Sequence, residues 1–483
     1  MVNLLDELYK YFGFRQFRPG QEQVIQNLIA RHHTLAVLPT GGGKTLLYQL
    51  YGAISHQRVV IVSPLISLMQ DQVSRLQYLG SKHVVALTST LDFKQRWAIL
   101  THLQDYQFIY VSPEMLSNPK VIAYFRQLSV GLFVIDEAHC ISEWGPDFRP
   151  DYLRLGQIRE QLNRPLTLMM TATATQQIQK DILSKLGFAS QDVQKVVLPV
   201  DRPNIFLSAK MCENQKSKNQ LLQSLVSKLN GAGIIYFSSK SQAEQTALTL
   251  NRQTGKRVMA YHGGMDSQPR FRIQQQFMND EIDVICATSA FGMGIDKDNI
   301  RFVIHYHLPS SIQNYVQEIG RCGRDQQPSL AILLYEPNDR YLQTHLIENN
   351  FPEEELLQYL YQHPDKLTGN DAFKVIKYYY DQHYSFEKIQ KTFRLLQQHR
   401  LTELNEMLAY VETTGCRRAS ILSHFNEQIS PTLNPKYCCD HHYDFWRSWE
   451  TFNDQYQKKT PITNLKSRSN WRTILDRLFL LKN

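Results

Sequence analysis

The sequence predicts an α/β fold: two tandem domains, each built on a parallel β-sheet, followed by a helical region. Three observations carry this. Over residues 1–203, short apolar, β-branched runs alternate with amphipathic stretches, as expected of strands buried on both faces and joined by crossover helices. The pattern restarts after Asp201-Arg202-Pro203-Asn204 and stops near residue 338. From about residue 353 to 430, Glu, Lys, Leu and Gln recur at helical spacing instead. The expected divisions are 1–203, 204–338, 339–445 and a tail over 446–483.

Taken in order, the first domain offers an apolar run at 34–38 and strands at 58–62, 108–111, 132–135 and 166–170. The second offers strands at 234–237, 258–261, 284–287 and 302–305, with the joint near 200–208. Residues 443–483 hold three tryptophans (Trp446, Trp449, Trp471) and eight Lys or Arg against four Asp or Glu. Packing against the body is the preferred reading for those tryptophans. No internal repeat beyond the two α/β units and no low-complexity segment stands out.

A chain of 483 residues, 42% hydrophobic and 20% charged, suits an ordinary globular protein of two to four domains. No stretch is apolar for long enough to cross a bilayer, and Met1-Val2-Asn3-Leu4-Leu5-Asp6 lacks the features of a signal peptide, so the cytoplasm is the expected compartment. A net charge of +8 agrees with a polyanionic partner but, being common, does not select one. Seven cysteines, scattered except for Cys416, Cys438 and Cys439, argue against a disulfide framework and make the late group a metal question.

Leu38-Pro39-Thr40-Gly41-Gly42-Gly43-Lys44-Thr45 joins the first apolar run to a helical segment. A glycine-rich turn at a helix start directs unpaired N–H groups at anionic oxygens; Lys44 brings charge to β/γ-phosphates and Thr45 a hydroxyl for Mg²⁺. The strict pattern has glycine where Leu38 stands. Val134-Ile135-Asp136-Glu137-Ala138-His139 ends a buried strand, where paired carboxylates suit Mg²⁺ ligation by Asp136 and activation of a water by Glu137. A lone Asp-Glu is more often a solvated turn; the upstream phosphate loop weighs against that here. Thr171-Ala172-Thr173-Ala174 offers hydroxyls at the next strand end, a weak signal because such residues also cap helices. Arg321 and Arg324, three apart and so on one face of an expected helix in Gln317-Glu318-Ile319-Gly320-Arg321-Cys322-Gly323-Arg324-Asp325, suit phosphate contact across a domain interface, with surface Arg–Asp pairing as the bland alternative.

Together with Phe12-Gly13-Phe14-Arg15-Gln16-Phe17-Arg18-Pro19-Gly20-Gln21, Ser63-Pro64-Leu65-Ile66-Ser67-Leu68-Met69 and Thr288-Ser289-Ala290-Phe291-Gly292-Met293-Gly294-Ile295-Asp296, these motifs stand in the order of the RecQ family of superfamily-two DNA helicases, which the chain resembles over about residues 8–445. The resemblance implies two RecA-like domains binding ATP and Mg²⁺, the phosphates cradled by Thr40, Gly41, Gly42, Gly43, Lys44 and Thr45. It implies that Gln21 reads the adenine edge, Arg18 contacts the nucleotide and Phe14 stacks on the base, where the family usually has Tyr. It makes Arg324 the finger and Arg321 its support, with Cys322 in place of a common Ala, a change expected to be silent. Residues 140–152 resemble an aromatic loop coupling DNA binding to hydrolysis; Trp144 and Phe148 offer stacking faces and Arg149 a phosphate contact. Core packing is the alternative for any single aromatic, but two prolines and a glycine make the segment read as a loop. His262-Gly263-Gly264-Met265 with Arg270 resembles a segment that tracks the DNA backbone, and Ser63, Ser112 and Thr288 fall at strand ends suited to phosphate.

The family continues into a zinc-binding subdomain. Gly415-Cys416-Arg417-Arg418 fits its start, but aligning Cys439-Asp440 on the family's Cys-Asp puts Lys436 at one ligand position and His442 at another. Cys416, Cys439 and His442 remain, with Cys438 or His441 as a fourth; zinc there, or helical packing in its place, stay open. The remaining residues are too few for a winged helix, which resembles the short RecS-like members and leaves the efficiency of unwinding open. The expected activity is an ATP-dependent 3′–5′ DNA helicase in repair or recombination, acting on single-stranded and duplex DNA as a monomer, beside the bacterial nucleoid and with single-strand-binding or recombination proteins as partners. An RNA helicase and an ATP-hydrolysing DNA translocase that does not separate strands are the rivals.

Overall fold

The computed structural model describes residues 3–78, 80–142, 149–292, 297–367, 371–444, 447 and 449–450. Its first sheet contains β1 (His33–Val37), β2 (Val59–Val62), β3 (Val84–Leu87), β4 (Phe108–Val111), β5 (Leu132–Ile135), β6 (Thr167–Thr171) and β7 (Val193–Val197). All neighbours are parallel, in the order β3-β4-β2-β5-β6-β1-β7. The second contains β8 (Ile205–Met211), β9 (Ala232–Tyr236), β10 (Val258–Tyr261), β11 (Val284–Ala287), β12 (Ile300–His305) and β13 (Ser329–Tyr335). It is also wholly parallel, in the order β10-β11-β9-β12-β13-β8. The expected strands all form; β3, β7, β8 and β13 are additional.

Alternation along each strand feeds two cores, one on either face. Val60 and Val62 of β2 join Leu35, Phe133 and Ile135 on one side, whereas Val59 and Ile61 join Ala36, Leu132 and Val134 on the other. The second sheet repeats the scheme: Ile234 and Tyr236 face the opposite core from Ile235 and Phe237. A parallel sheet covered by helices on both faces requires such apolar runs.

The helical region comprises Asn338–Asn349, Glu354–Gln362, Asp371–Asp381, Phe386–Glu412 and Arg417–His424. The 27-residue helix Phe386–Glu412 enters a small separate core through Ile389 and Phe393 and the core of the second sheet through Leu404, Met407 and Tyr410. Beyond it, residues 438–440 close the open edge of β8: Leu207 N–H donates to Cys438 O at 3.2 Å, and Asp440 N–H to Leu207 O at 3.0 Å. An edge strand that would template foreign pairing is thus covered. Trp449 is buried in the second domain's core, whereas Trp446 and Trp471 lie outside the described residues. Among the described residues no helix is long and apolar enough to cross a membrane.

Candidate nucleotide site and metal-ligating cluster

The strand order builds the site. β2, β5, β6 and β1 are consecutive neighbours, so Ser63, Asp136, Thr171 and the loop after Val37 reach the carboxyl edge side by side. Ligands bind at that edge in open parallel sheets. Pro39 to Gly43 then turn into the helix Lys44–Ser55, capped by Gly43 at φ +70°. A Cβ on Gly43 would stand 2.5 Å from Gln21 Nε2, so its glycine is required by φ and by space.

Gln21 locks this loop. Its Nε2 donates to Gly42 O at 3.0 Å and Gly43 O at 3.2 Å, while its Oε1 accepts from Arg18 N–H at 2.9 Å. Arg18 in turn donates to Gly41 O. Phe14 is 52% exposed, a free aromatic face beside these residues in sequence. Thr45, half-buried, follows Lys44 in the first turn of the helix.

Lys44 Nζ donates to Leu38 O at 3.2 Å. Burial lowers the pKa of its ammonium, Glu137 and Asp136 oppose that shift, and Arg324 and Arg321 add to it. Burial first, and the Glu137 charge second, push Asp136 up to about 7, with Lys44 pulling the other way. Asp136 accepts from Ser63 Oγ at 3.4 Å and from Glu137 N–H at 3.1 Å, and its carbonyl accepts from Tyr152 Oη at 2.9 Å. Glu137 is held at φ +48°, a left-handed conformation that a non-glycine residue adopts at a cost of order 1–3 kcal/mol and that concentrates at functional sites. His139 Nδ1 lies 3.4 Å from Glu137 Oε2 and 2.8 Å from Thr171 Oγ1, which itself donates to Thr173 O. The Thr171 hydroxyl thus meets His139 and the Thr173 carbonyl rather than a carboxylate, and Glu137 Oε2 has no hydrogen-bond partner among the described residues.

The second domain meets the loop directly. A Cβ on Gly41 would stand 2.9 Å from Arg324 Cγ, and the Cβ of Thr40 lies 3.4 Å from where Gly320 would carry one. The helix Ile312–Ile319 ends short of Arg321 and Arg324, which stand in the turn beyond it and not on one helical face; Arg321 is buried and donates to Gly292 O. Lys44, Asp136, Glu137 and Arg324 therefore converge across a domain interface. A hard oxygen donor set of one carboxylate and one hydroxyl, Asp136 and Thr45, beside the half-buried Glu137 carboxylate, fits Mg²⁺.

The residues read as nucleic-acid contacts divide. Ser63 faces Asp136, and Ser112 is buried, accepting from Met115 N–H as a helix cap. Arg149 donates to Pro64 O at 2.9 Å, in the segment after β2; Trp144 and Phe148 lie outside the described residues. His262 and Thr288 follow the adjacent strands β10 and β11. His262 Nε2 pairs with Glu244 at 2.7 Å while its buried Nδ1 has no hydrogen-bond partner among the described residues. Thr288 is half-buried.

At the β8 edge of the second sheet, one ligand atom each from Cys416, Cys438, Cys439 and His442 lie within 4.8 Å of one another. Cys416 Sγ stands 3.5 Å from Cys438 Sγ and 4.0 Å from Cys439 Sγ, and Cys439 Sγ stands 3.2 Å from His442 Nδ1. Zn–S of about 2.3 Å and Zn–N of about 2.0 Å in a tetrahedron give edges of about 3.5–3.8 Å, so the four donors fit zinc. Of the two alternatives for the fourth ligand, Cys438 is gathered in and His441 is not. Lys436 instead points its ammonium at the Tyr443 ring, 6.0 Å away. Arg417 and Arg418, read only as part of a motif, are buried pins: Arg417 holds Asp440, and Arg418 holds Asp201 and the carbonyls of Arg202, Ile205, Tyr437 and Cys438. Arg202, Tyr152 and Asp440 are likewise structural partners to which the sequence reading gave no role.

Two parallel-sheet domains joined over a phosphate loop, with carboxylates from one and an arginine from the other, define the core of a nucleotide-driven helicase. Family models agree: the DEAD/DEAH box helicase model matches residues 18–181, the helicase conserved C-terminal domain 217–326, and the RecQ zinc-binding model 376–442. The chain is 37% identical to the probable ATP-dependent DNA helicase RecS of Bacillus subtilis, over 100% of this chain and 99% of that one. It is 35% identical to the ATP-dependent DNA helicase RecQ of Haemophilus influenzae, over 90% of this chain but 63% of that longer protein. Among solved structures it shares its fold with Mss116p bound to single-stranded RNA and AMP-PNP (TM-score 0.60, 18% identity, 84% of this chain and 90% of that one). Mycobacterium smegmatis Lhr bound to single-stranded DNA and AMP-PNP is another neighbour (TM-score 0.58, 20% identity, 72% and 49%). The chain belongs to the RecQ family of ATP-dependent DNA helicases.

Proposed function

We propose that the chain moves 3′ to 5′ along single-stranded DNA and separates duplex DNA in repair or recombination, each step driven by ATP-dependent closure of its two sheet domains. The observation that carries the reading is the convergence of Lys44, Asp136 and Glu137 with Arg324 across one interface. Lys44, with the N–H groups of Thr40 to Thr45, holds the β/γ-phosphates; Gln21 and Arg18 take the base and its neighbourhood, and Phe14 stacks on it. Asp136 and Thr45 hold Mg²⁺, which supplies charge neutralisation at the phosphates. Glu137, aimed by its left-handed backbone and by His139, takes the proton of the attacking water. Arg324, supported by Arg321, stabilises charge building on the transferred phosphoryl group.

Trp144, Phe148 and Arg149 then report DNA to Asp136, and Ser63, Ser112, His262 and Thr288 track its backbone without reading sequence. Residues 1–203 and 204–338 are the two motor domains, 339–445 a zinc-bearing module with Cys416, Cys438, Cys439 and His442 as ligands, and 446–483 a basic tail. The protein works as a monomer in the cytoplasm at the nucleoid, beside single-strand-binding or recombination proteins.

Strand separation tests this, using tailed duplexes with DNA and RNA tails of both polarities and Glu137→Ala as the inactive control. Unwinding confined to 3′-tailed DNA is expected. DNA-stimulated ATP hydrolysis without unwinding would replace the reading with that of a translocase.

A further inference from the structure

Asp201-Arg202-Pro203-Asn204 marks the joint between the domains, yet Arg202 does more than connect them. From the linker between β7 and β8 its guanidinium donates to Thr40 O at 3.3 Å, in the phosphate loop of the first domain. It also donates to Gly320 O at 3.2 Å, Cys322 O at 3.4 Å and Gly323 O at 2.6 Å, in the turn that carries Arg321 and Arg324. Gly320 caps the helix Ile312–Ile319, so its carbonyl is one that a helix end leaves without an intrahelical partner, whereas Cys322 and Gly323 follow in the turn, where Gly323 O also accepts from Gln326 N–H at 3.1 Å. Four acceptors spread over two domains match the planar fork of an arginine and not the point charge of a lysine.

The linker is itself anchored from behind. Val200 N–H donates to the Glu427 carboxylate at 3.0 Å, and Arg418 holds the Asp201 carboxylate and Arg202 O. Asn204 Nδ2 secures the turn within its own domain, through Gly323 O at 2.8 Å and Gln327 O at 3.0 Å. The fold of that turn has a second support, whereas Arg202 adds the bond to Thr40.

We propose that Arg202 is a positioning residue for ATP hydrolysis: it grips the arginine-bearing turn and the phosphate loop in one fork, setting the station of Arg324 over the nucleotide. This rests on the reading of Arg324 as the finger. Because Arg202 acts through Arg324, removing both is no worse than removing Arg324 alone.

The test is steady-state ATP hydrolysis by the full chain at saturating single-stranded DNA. Wild type is compared with Arg202→Ala, Arg202→Lys, Arg324→Ala and the Arg202→Ala/Arg324→Ala pair, with thermal melts and titration by a fluorescent ATP analogue. Arg324→Ala is expected to lower kcat by at least about 10²-fold. Arg202→Ala is expected to lower kcat by about 30-fold with KM for ATP within about 3-fold and nucleotide stoichiometry unchanged, Arg202→Lys to recover only part of the loss, and the double variant to match Arg324→Ala. A kcat for Arg202→Ala within about 3-fold of wild type beside an impaired Arg324→Ala overturns the inference alone, as do multiplicative losses in the pair. An unimpaired Arg324→Ala overturns the finger reading and the inference with it. If Arg202→Ala loses its cooperative melt, Arg202→Lys and its pair with Arg324→Ala decide by the same criteria.

Discussion

Two buried polar centres in this chain use the same ingredients to opposite ends. At the edge of β8, Asp440 accepts from Arg417 on one oxygen and from Ser208 Oγ and Ala209 N–H on the other, while Arg418 serves one carboxylate and four carbonyls. At the end of β5, two carboxylates lie next to each other in a buried place, Lys44 spends a bond on Leu38 O, and Glu137 sits in a costly backbone conformation. The first centre takes nearly all its partners from the protein, the buried Arg418 Nε having none among the described residues, and it holds elements together. The second is left in mutual repulsion, burial and the Glu137 charge holding the Asp136 carboxyl well above its ordinary range. A polar centre whose demands the fold meets stabilises; one whose demands it leaves open is ready for a ligand.

The contrast makes changes at the two centres fail differently. Glu137→Gln should reduce kcat for ATP by about 10³-fold, equivalent to about 4 kcal/mol, while nucleotide binding and the thermal melt stay close to wild type. Unfolding of that variant would erase the distinction. Arg418→Ala should do the reverse: by stranding buried acceptors and Asp201 it should cost about 3–5 kcal/mol of stability in denaturant titration.

A smaller effect belongs to His307, a buried group partnered within the fold. Its Nδ1 accepts from Ser238 N–H at 3.0 Å, and burial, followed by the Lys218 charge, pushes its pKa down to about 3. The folded protein therefore binds the proton less well than the unfolded chain, whose imidazole titrates near 6.5. This contribution is intact above about pH 6.5 and is lost as pH falls toward 3, at up to about 1.4 kcal/mol per unit. Between pH 7 and 5 wild type should lose up to about 2 kcal/mol more than His307→Asn, whose amide oxygen keeps the acceptor without the titration. Parallel pH curves for the two proteins would assign the sensitivity elsewhere. The mildest change is at the open site: Phe14→Ala should raise KM for ATP by about fivefold, a loss of about 1 kcal/mol, while Phe14→Tyr should leave it unchanged.

How much of this was legible in sequence follows the same division. Strands such as β2 and β5 are continuous apolar runs, as a sheet covered on both faces demands, and were plain. β7 alternates irregularly, with Gln194 and Lys195 exposed on an edge, and β3 is a four-residue edge strand; neither carries a strong period. β8 and β13 adjoin the linker and the arginine turn, where motif residues drew attention from the apolar runs beside them. The open site was legible because phosphate chemistry requires particular residue types at fixed local spacing. The centre at the β8 edge was not, since Arg418 and Asp201 are 217 residues apart and only folding makes them neighbours. Arg202 stood in view as a joint, but its partners lie 118 to 162 residues away. The choice of Cys438 over His441 also needed three-dimensional placement.

The helix Phe386–Glu412, of 27 residues, extends about 40 Å and belongs to two cores. Its inner half is fastened into the large core of the second sheet, whereas its outer half shares a handful of side chains with Leu357, Leu360, Val375 and Tyr379. Opening of the small core therefore need not propagate inward. One unbroken rod thus contains a boundary between two cooperative units, set by what each half buries.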